Sequence, residues 1–382
     1  MRAERVILWL IAVALGIKLV LFLHIAFNDP ASIIRPDSDG YLSDAKGWVQ
    51  YFSTPMAGLK HSLYRTPGYS LFLAIFHFGL NLPLVWIIFL QLVLNILTAV
   101  VIFKIVPLAD RRIRLLSAAI VLLDLPTTIY SAMILTESLH LFVLSLCLYA
   151  FVKYIDQRRI GWLAGAVFFL VASVYIRPVG YFLGFVFAGF VVYLWGIKKV
   201  LTGVVHAIVV LVLVYGFLGI WQHHNLKAHG EFTFSSIDRA SIGMHGIIGR
   251  YAKETDPQFK AMPPVIYYID SVGRNFLNLM TSPGNMKDFH SKVLRIFGVS
   301  FGYLFVVFWW AGCIFAISKG KIDVVGQFLI VVLLYFIAVS LFSTGWHVTP
   351  RFRIPMVPAL AVLSARGWGY LILSRSNDVK TS

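Results

Sequence analysis

Residues 67–81 read PGYSLFLAIFHFGLN, an apolar run opened by Pro67-Gly68 and closed by Gly79 and Asn81. A helix that crosses a bilayer needs about 20 apolar residues, so this run of about 15 is too short for a comfortable span. Its reading decides the topology, because counting it as a span reverses the side of every later loop. Treated as a re-entrant or interfacial helix, it leaves apolar spans at 6–27, 83–106, 115–135, 138–155, 160–176, 178–196, 200–221, 296–317, 324–343 and 354–373. The loops then sort by charge. Arg111, Arg112 and Arg114, Lys153 with Arg158 and Arg159, Lys198 and Lys199, and Lys319 and Lys321 share one side. The short loops on the other side are nearly free of positive charge, and lysine and arginine collect on the cytoplasmic side of membrane proteins. The expectation is an all-α integral membrane protein of about ten transmembrane helices with both termini in the cytoplasm.

The composition agrees. The chain of 382 residues is 59% hydrophobic and only 13% charged, against roughly 25% charged in a soluble domain, and its mean hydropathy is +0.81. No polar stretch is long enough to build a separate soluble core, so residues 1–382 read as one integral domain. The net charge of +16 would point to nucleic acid in a soluble protein. Here it reads as topological charge, with a share for an anionic lipid substrate. Cys147 and Cys313 lie inside apolar runs and make neither a disulfide framework nor a metal site. The run from Val6 to Phe27, after Arg2 and Arg5, exceeds a signal-peptide core and is expected to stay as the first helix.

Two segments on the non-cytoplasmic side are long, about 28–82 and 222–295. In the first, Tyr41, Leu42, Ala45, Trp48, Val49 and Phe52 share one helical face, with Ser38 or Asp39 placed to cap an interfacial helix. The second carries turn signals at Met262-Pro263-Pro264 and Ser282-Pro283-Gly284.

Charged residues gather at helix ends on this same side. They are Asp37 and Asp39 in PDSDGY (36–41), Arg65 after Tyr64 in YRTPGY (64–69), Glu137 in Thr136-Glu137-Ser138, Arg177 before Pro178, and Arg351 and Arg353 in RFRIP (351–355). Ionisable groups at membrane level are costly and tend to be functional. Carboxylates facing several arginines suit a site that deprotonates a nucleophile and stabilises a phosphate leaving group. Each also has a plain structural reading. Asp37 and Asp39 serve as helix caps, Glu137 is a solvated turn residue, and the arginines snorkel to lipid headgroups. Asp124, midway along the third span before Pro126, either satisfies the backbone broken by that proline or lines a cavity. Lys18 and His24 lie in the first span and are placed to face the bundle interior. His61, His223, His224, His229, His245 and His347 show no metal-ligand spacing. Gly161/Gly165 and Gly180/Gly184 read as helix-packing pairs. P-loop, dinucleotide and nucleophile-elbow motifs are absent.

In these residues the chain resembles the membrane glycosyltransferases of the GT-C fold, in the branch of the protein mannosyltransferases and the bacterial lipid A aminoarabinose transferases. The matching elements are PDSDGY with its interfacial helix, YRTPGYSLFL, ILTESLHLF, YIRPVGYFL and RFRIPMVPALAVL, in the family's order and across most of the chain. The resemblance implies a GT-C-like bundle with interfacial helices in the first extracytoplasmic loop. It implies an inverting glycosyltransferase that moves a sugar from a polyprenyl-phosphate donor to an acceptor at the extracytoplasmic face, and localisation to the plasma membrane, taken as a bacterial inner membrane. It assigns catalysis to Asp37, four residues before Tyr41, with Asp39 as a second candidate and Glu137 as the acidic residue of the second loop. Arg177, Arg351 and Arg353, joined by Arg65, are expected to hold the lipid phosphate, with Tyr41 and Tyr64 beside the site. No cofactor is assigned. A divalent metal is left open, although the glutamate that one branch places before its Pro-Pro motif is missing from Tyr64-Arg65-Thr66-Pro67-Gly68. The partners implied are the lipid-linked donor, membrane lipids and a lipid or glycan acceptor; the small size speaks against a protein acceptor. Two alternatives stand beside this. One is a flippase or transporter of lipid-linked sugars, for which Asp124 is the supporting feature, and the other is an O-antigen-type polymerase.

Overall fold

The computed structural model describes residues 2–55, 58–106, 111–237, 263–281, 292–319, 322–344 and 350–378. The readings at Met262, Ser282-Pro283-Gly284, His245, Lys321 and His347 fall outside these residues. All regular structure among the described residues is helical. In chain order the α-helices are α1 (Arg2–Phe27), α2 (Pro36–Ser53), α3 (Pro67–Leu73), α4 (Leu84–Ile105), α5 (Arg111–Leu123), α6 (Leu125–Ser131), α7 (Glu137–Gln157), α8 (Ile160–Ile176), α9 (Leu183–Trp195), α10 (Val200–His229), α11 (Pro264–Thr281), α12 (Lys292–Lys319), α13 (Val324–Thr344) and α14 (Val357–Asp378).

Seven helices among the described residues are long and apolar enough to cross a membrane: Glu4–Phe27, Leu84–Ile105, Glu137–Gln157, Pro178–Trp195, Ile197–His229, Val299–Ser318 and Val324–Leu341. The pair α5 and α6, bent by 53°, is apolar enough to make an eighth span if its two halves cross together. The bend sits at Asp124, and Pro126 explains it, because proline has no N–H to give and its ring collides with the carbonyl four residues earlier. The remaining expected spans are helices too. α8 is apolar but 17 residues long, and α14 carries Arg366 near its middle.

The decisive stretch 67–81 does not cross. α3 has 7 residues and continues as a π-helical turn over Ala74–Gly79. Together they rise about 20 Å, short of the roughly 30 Å hydrocarbon core. Asn81 in a left-handed conformation, φ 53°, then turns the chain into α4.

The chain divides into two compact units. Unit 1 comprises Met1–Pro107 and Thr127–Ser236, and unit 2 comprises Leu108–Pro126 and Ile237–Ser382. In unit 1, α7 packs against α4 and α8, and α9 packs against α10. Lys18 faces protein: it is 2% exposed and donates to Thr128 Oγ1 at 2.6 Å, whereas His24 is exposed. Gly184 does lie against α10, 3.2 Å from Val214 to a Cβ placed there, but Gly161 has nothing near it. In unit 2, α14 packs against α12 and α5. A Cβ on Gly312 would stand 2.7 Å from Ser364 O, and one on Gly367 would overlap the Gly312 carbonyl. The two backbones meet there without side chains between them, as small residues permit in membrane bundles.

Candidate functional site

The site is built where α2, the segment before α3, and the facing ends of α7 and α8 meet in unit 1. α2 starts one turn earlier than its sequence suggests. Pro36 opens it, with its φ already helical, and Ser38 is not the cap but the third residue inside, where its Oγ accepts the Arg35 N–H at 2.9 Å. The same Oγ donates to Ile134 O at 2.9 Å, and Ile134 N–H donates to Ile33 O at 2.9 Å. These bonds bind the first loop to the segment before α7. From below, Gln91 of α4 holds that segment by donating to Ser131 O at 3.0 Å and Met133 O at 2.6 Å. Gln91 Oε1 in turn accepts from the Tyr69 hydroxyl at 2.6 Å. Tyr69 meets Tyr41 edge to face, with centroids 5.1 Å apart. The result is a buried polar brace in which each donor finds an acceptor.

Asp37 lies in the first turn of α2, where a carboxylate suits the helix dipole. It does more than cap. Arg65 Nη2 pairs with Asp37 Oδ1 at 2.9 Å, and Nη1 donates to the Tyr41 hydroxyl at 3.3 Å. The guanidinium lies 4.6 Å from the Tyr41 ring centroid and 5.1 Å from that of Tyr64, two cation–π contacts. Burial alone would lower the Arg65 pKa, but Tyr41 and Asp37 outweigh it and the pKa is raised. Asp37 is 38% exposed while Arg65 is 12% exposed. Asp39 is exposed, about 200° around the helix from Asp37.

A second pair sits beside the first. Arg177 ends α8 in an extended conformation, as the residue before a proline prefers. Its Nη1 meets Glu137 Oε1 at 2.6 Å, with Arg177 14% exposed and Glu137 1% exposed. Glu137 opens α7, so it is a buried ion-pair member rather than a solvated turn residue. α3 approaches this junction closely. Thr66 Oγ1 donates to Ile176 O at 2.9 Å, and a Cβ on Gly68 would stand 2.8 Å from the carbonyl of Tyr175. Only a glycine lets the two backbones come so near.

Sequence reasoning missed several residues here. Tyr69 and Gln91 lie inside apolar runs, where their neighbours hide them. His140, one turn after Glu137, is fully buried, and neither ring nitrogen has a hydrogen-bond partner among the described residues. Its spacing of three from Glu137 was the available signal. Asp44, two turns after Asp37, is 7% exposed and accepts the Ser62 N–H at 2.9 Å. Burial pushes its carboxyl pKa up, partly offset by Ser62, His61, Arg65 and His229. His61 Nε2 stands 2.9 Å from Asn225 Oδ1 and 3.3 Å from His229 Nε2, and Trp221 stacks on His224 at 5.0 Å.

Among the described residues no three His, Cys, Asp or Glu side chains come together as a metal ligand set. Asp37 and Glu137 face guanidinium groups instead, an arrangement that does not fit a divalent metal.

Unit 2 holds the remaining arginines. Both lie in a 3₁₀ segment over Pro350–Met356. Arg351 is half-buried. Arg353 is 1% exposed, donates from Nη1 to Leu279 O at 2.9 Å, and lies 5.7 Å from the Trp309 ring centroid. Its Nε and Nη2 have no hydrogen-bond partner among the described residues, and Asp124 is its charged neighbour.

No protein-family model matches the chain, and no curated protein matches it in sequence. In three dimensions it is similar to the archaeal oligosaccharyltransferase AglB from Archaeoglobus fulgidus, solved in complex with an inhibitory peptide and a dolichol-phosphate. The TM-score is 0.50 at 13% identity, over 97% of this chain and 52% of that one. The chain therefore spans about half the length of that structure. The likeness establishes the fold: a multispan, all-helical bundle of the GT-C type.

Proposed function

We propose that the protein is an inverting glycosyltransferase that moves a sugar from a polyprenyl-phosphate donor to an acceptor hydroxyl at the extracytoplasmic face of the membrane. The observation that carries this reading is the pairing of Asp37 with Arg65 and of Glu137 with Arg177 at adjoining helix ends of unit 1. Carboxylates and guanidinium groups so combined supply a base and a phosphate ligand within one polar patch. The GT-C-type fold and the dolichol-phosphate bound by its structural neighbour support the same substrate class.

In the proposed reaction, Asp37 accepts the proton of the acceptor hydroxyl. The hydroxyl oxygen attacks the anomeric carbon from the face opposite the lipid phosphate. The bond from that carbon to the phosphate oxygen breaks, and the oxygen leaves with its electron pair as polyprenyl phosphate, stabilised by charge-assisted hydrogen bonds from Arg177. Asp39, exposed and turned from Arg65, is the weaker candidate for the base. For Arg351 and Arg353 the phosphate role is a separate proposal. A buried guanidinium such as Arg353, with two nitrogens lacking partners among the described residues, suits an anion.

The test is an in-vitro assay with purified protein, a panel of polyprenyl-phosphate sugars, and a lipid and glycan extract, following free polyprenyl phosphate and new sugar adducts by mass spectrometry. Asp37→Asn should lower turnover by about 10²–10⁴ if Asp37 acts as a base, while donor binding survives. Full turnover in that variant would remove Asp37 from the role. The transporter alternative rests on the broken helix at Asp124. It predicts movement of lipid-linked sugar across a vesicle membrane with no donor consumed.

A further inference from the structure

The two ion pairs have the same chemistry but opposite exposure. In the first, the carboxylate is the open member, Asp37 at 38% against Arg65 at 12%. In the second, the carboxylate is closed, Glu137 at 1% against Arg177 at 14%. A group as sealed as Glu137 can act only through its neighbour; the two guanidinium groups are nearly alike in exposure, and what sets Arg65 apart is its commitment to Asp37, Tyr41 and Tyr64. From this we infer that Arg65 is a positioning residue for Asp37 and that Glu137 is a positioning residue for Arg177, in place of the expected roles of Arg65 as phosphate ligand and Glu137 as catalytic residue. The inference rests on the proposed glycosyl transfer for Asp37, but its Arg177 half needs only phosphate binding.

The contacts of each supporting residue fit this division. Arg65 is committed in several directions: Nη2 to Asp37, Nη1 to the Tyr41 hydroxyl, and the guanidinium carbon to the rings of Tyr41 and Tyr64. Gly40 makes room for it, since a Cβ there would lie 3.2 Å from Arg65 Nε. A guanidinium held this way keeps one carboxylate oxygen of Asp37 in a fixed place and favours its ionised form. Glu137 is nearly sealed, and a buried carboxylate is tolerable only when paired. Its contact with Arg177 Nη1 at 2.6 Å anchors one end of the guanidinium and so sets the plane in which Arg177 is presented. Thr136 Oγ1, 3.5 Å from Glu137 Oε2, and the brace through Gln91 keep the glutamate in register.

The test separates the roles by binding and by pH. Binding of polyprenyl phosphate alone is measured for wild type, Arg177→Gln, Glu137→Gln, Glu137→Asp, Arg65→Gln, Arg65→Lys and the double variant Glu137→Gln/Arg177→Gln. Arg177→Gln should weaken binding about tenfold, the loss of one charge-assisted contact. Glu137→Gln and Glu137→Asp should each change affinity at least about threefold. The Glu137→Gln change should vanish when Arg177 is already Gln, because two residues acting as a unit are not additive. Arg65→Gln should leave polyprenyl-phosphate affinity within about twofold, as no phosphate contact is lost.

In the transfer assay Arg65→Gln should move the acid limb of the kcat/KM profile to higher pH, since Asp37 loses the cation at 2.9 Å, and Arg65→Lys should restore most of it. The charged and titratable groups to weigh there are Arg65, Asp39, Tyr41 and Asp44 with Tyr64, Tyr69, Glu137 and Arg177. An equal Glu137→Gln effect in both Arg177 backgrounds overturns the second assignment. Loss of phosphate affinity in Arg65→Gln, or an acid limb that stays put, overturns the first. If wild type consumes no donor yet the binding results hold, glycosyl transfer fails while the two-pair division stands on binding. Where Arg65→Gln does not fold, Arg65→Lys carries the binding comparison.

Discussion

Arg177 in unit 1 and Arg353 in unit 2 look alike in sequence, each beside a proline-marked helix junction, yet the fold treats them differently. Arg177 meets a carboxylate at 2.6 Å. Arg353, at 1% exposure, meets a backbone carbonyl and the face of Trp309, with Asp124 as its charged neighbour. The difference teaches that the position of an arginine at a helix end says little about its energetics. What matters is whether its charge is answered by a partner that would itself be stranded without it.

That contrast can be broken by experiment. The largest effect is expected for Arg177→Met, which takes the guanidinium away from a carboxylate at 1% exposure and should cost about 3–5 kcal/mol. Arg353→Met keeps the length and apolar bulk of the side chain and removes two buried nitrogens that have no hydrogen-bond partner among the described residues, which offsets part of the loss at Asp124, so it should cost less. Denaturation of both variants in detergent compares them directly, and equal losses would erase the distinction. Next in size, Gly68→Ala forces apart backbones that now touch at Tyr175 and should cost about 1–3 kcal/mol, as overpacking does. It should weaken polyprenyl-phosphate binding as well, because the junction that carries Arg177 moves; unaltered affinity would detach Arg177 from that role. Asp124→Asn should destabilise the wild type by about 1 kcal/mol or more but have a smaller effect in the Arg353→Met background, as a coupled pair requires. Additive losses would show that Asp124 does not answer Arg353.

The smallest effect, Asp44→Asn, depends on pH. The Asp44 carboxyl is raised by burial. A carboxyl whose folded pKa lies above its unfolded value stabilises the fold fully below the unfolded value, and that contribution is lost as pH rises through the folded one. The asparagine variant has no such loss, so its melting temperature relative to wild type should climb as pH rises from the ordinary carboxylate range. A difference that stays constant with pH would show that Asp44 carries no burial penalty and would erase its contrast with the paired carboxylates.

Much of the site was legible in advance because its residues stand at helix ends, where apolar runs stop and polar residues become conspicuous. Asp37, Arg65, Glu137 and Arg177 were all found that way, and the fold gathers them in unit 1. Pairings 28 and 40 residues apart in sequence were not legible, since nothing local says which arginine faces which carboxylate. Tyr69, Gln91 and His140 escaped because a single polar residue in an apolar helix reads as tolerated noise until its neighbours are known. The cap of α2 was misread because Ser38 and Asp39 are both favourable cap residues, while Pro36 sets the start by its fixed φ.

What the sequence determined by itself is the class of the molecule. Apolar runs, their lengths and the charges between them dictate a helical membrane bundle, because in a bilayer each backbone must satisfy its own hydrogen bonds. The short run 67–81 was readable on the same grounds, as length against bilayer thickness is a local quantity. Only the tertiary structure decided which polar residues meet, which member of each pair is open and which is sealed. Those outcomes depend on close approach between distant segments, at Gly68 against Tyr175 and Ser38 against Ile134, and exposure is a property of everything packed around a side chain rather than of its place in the chain.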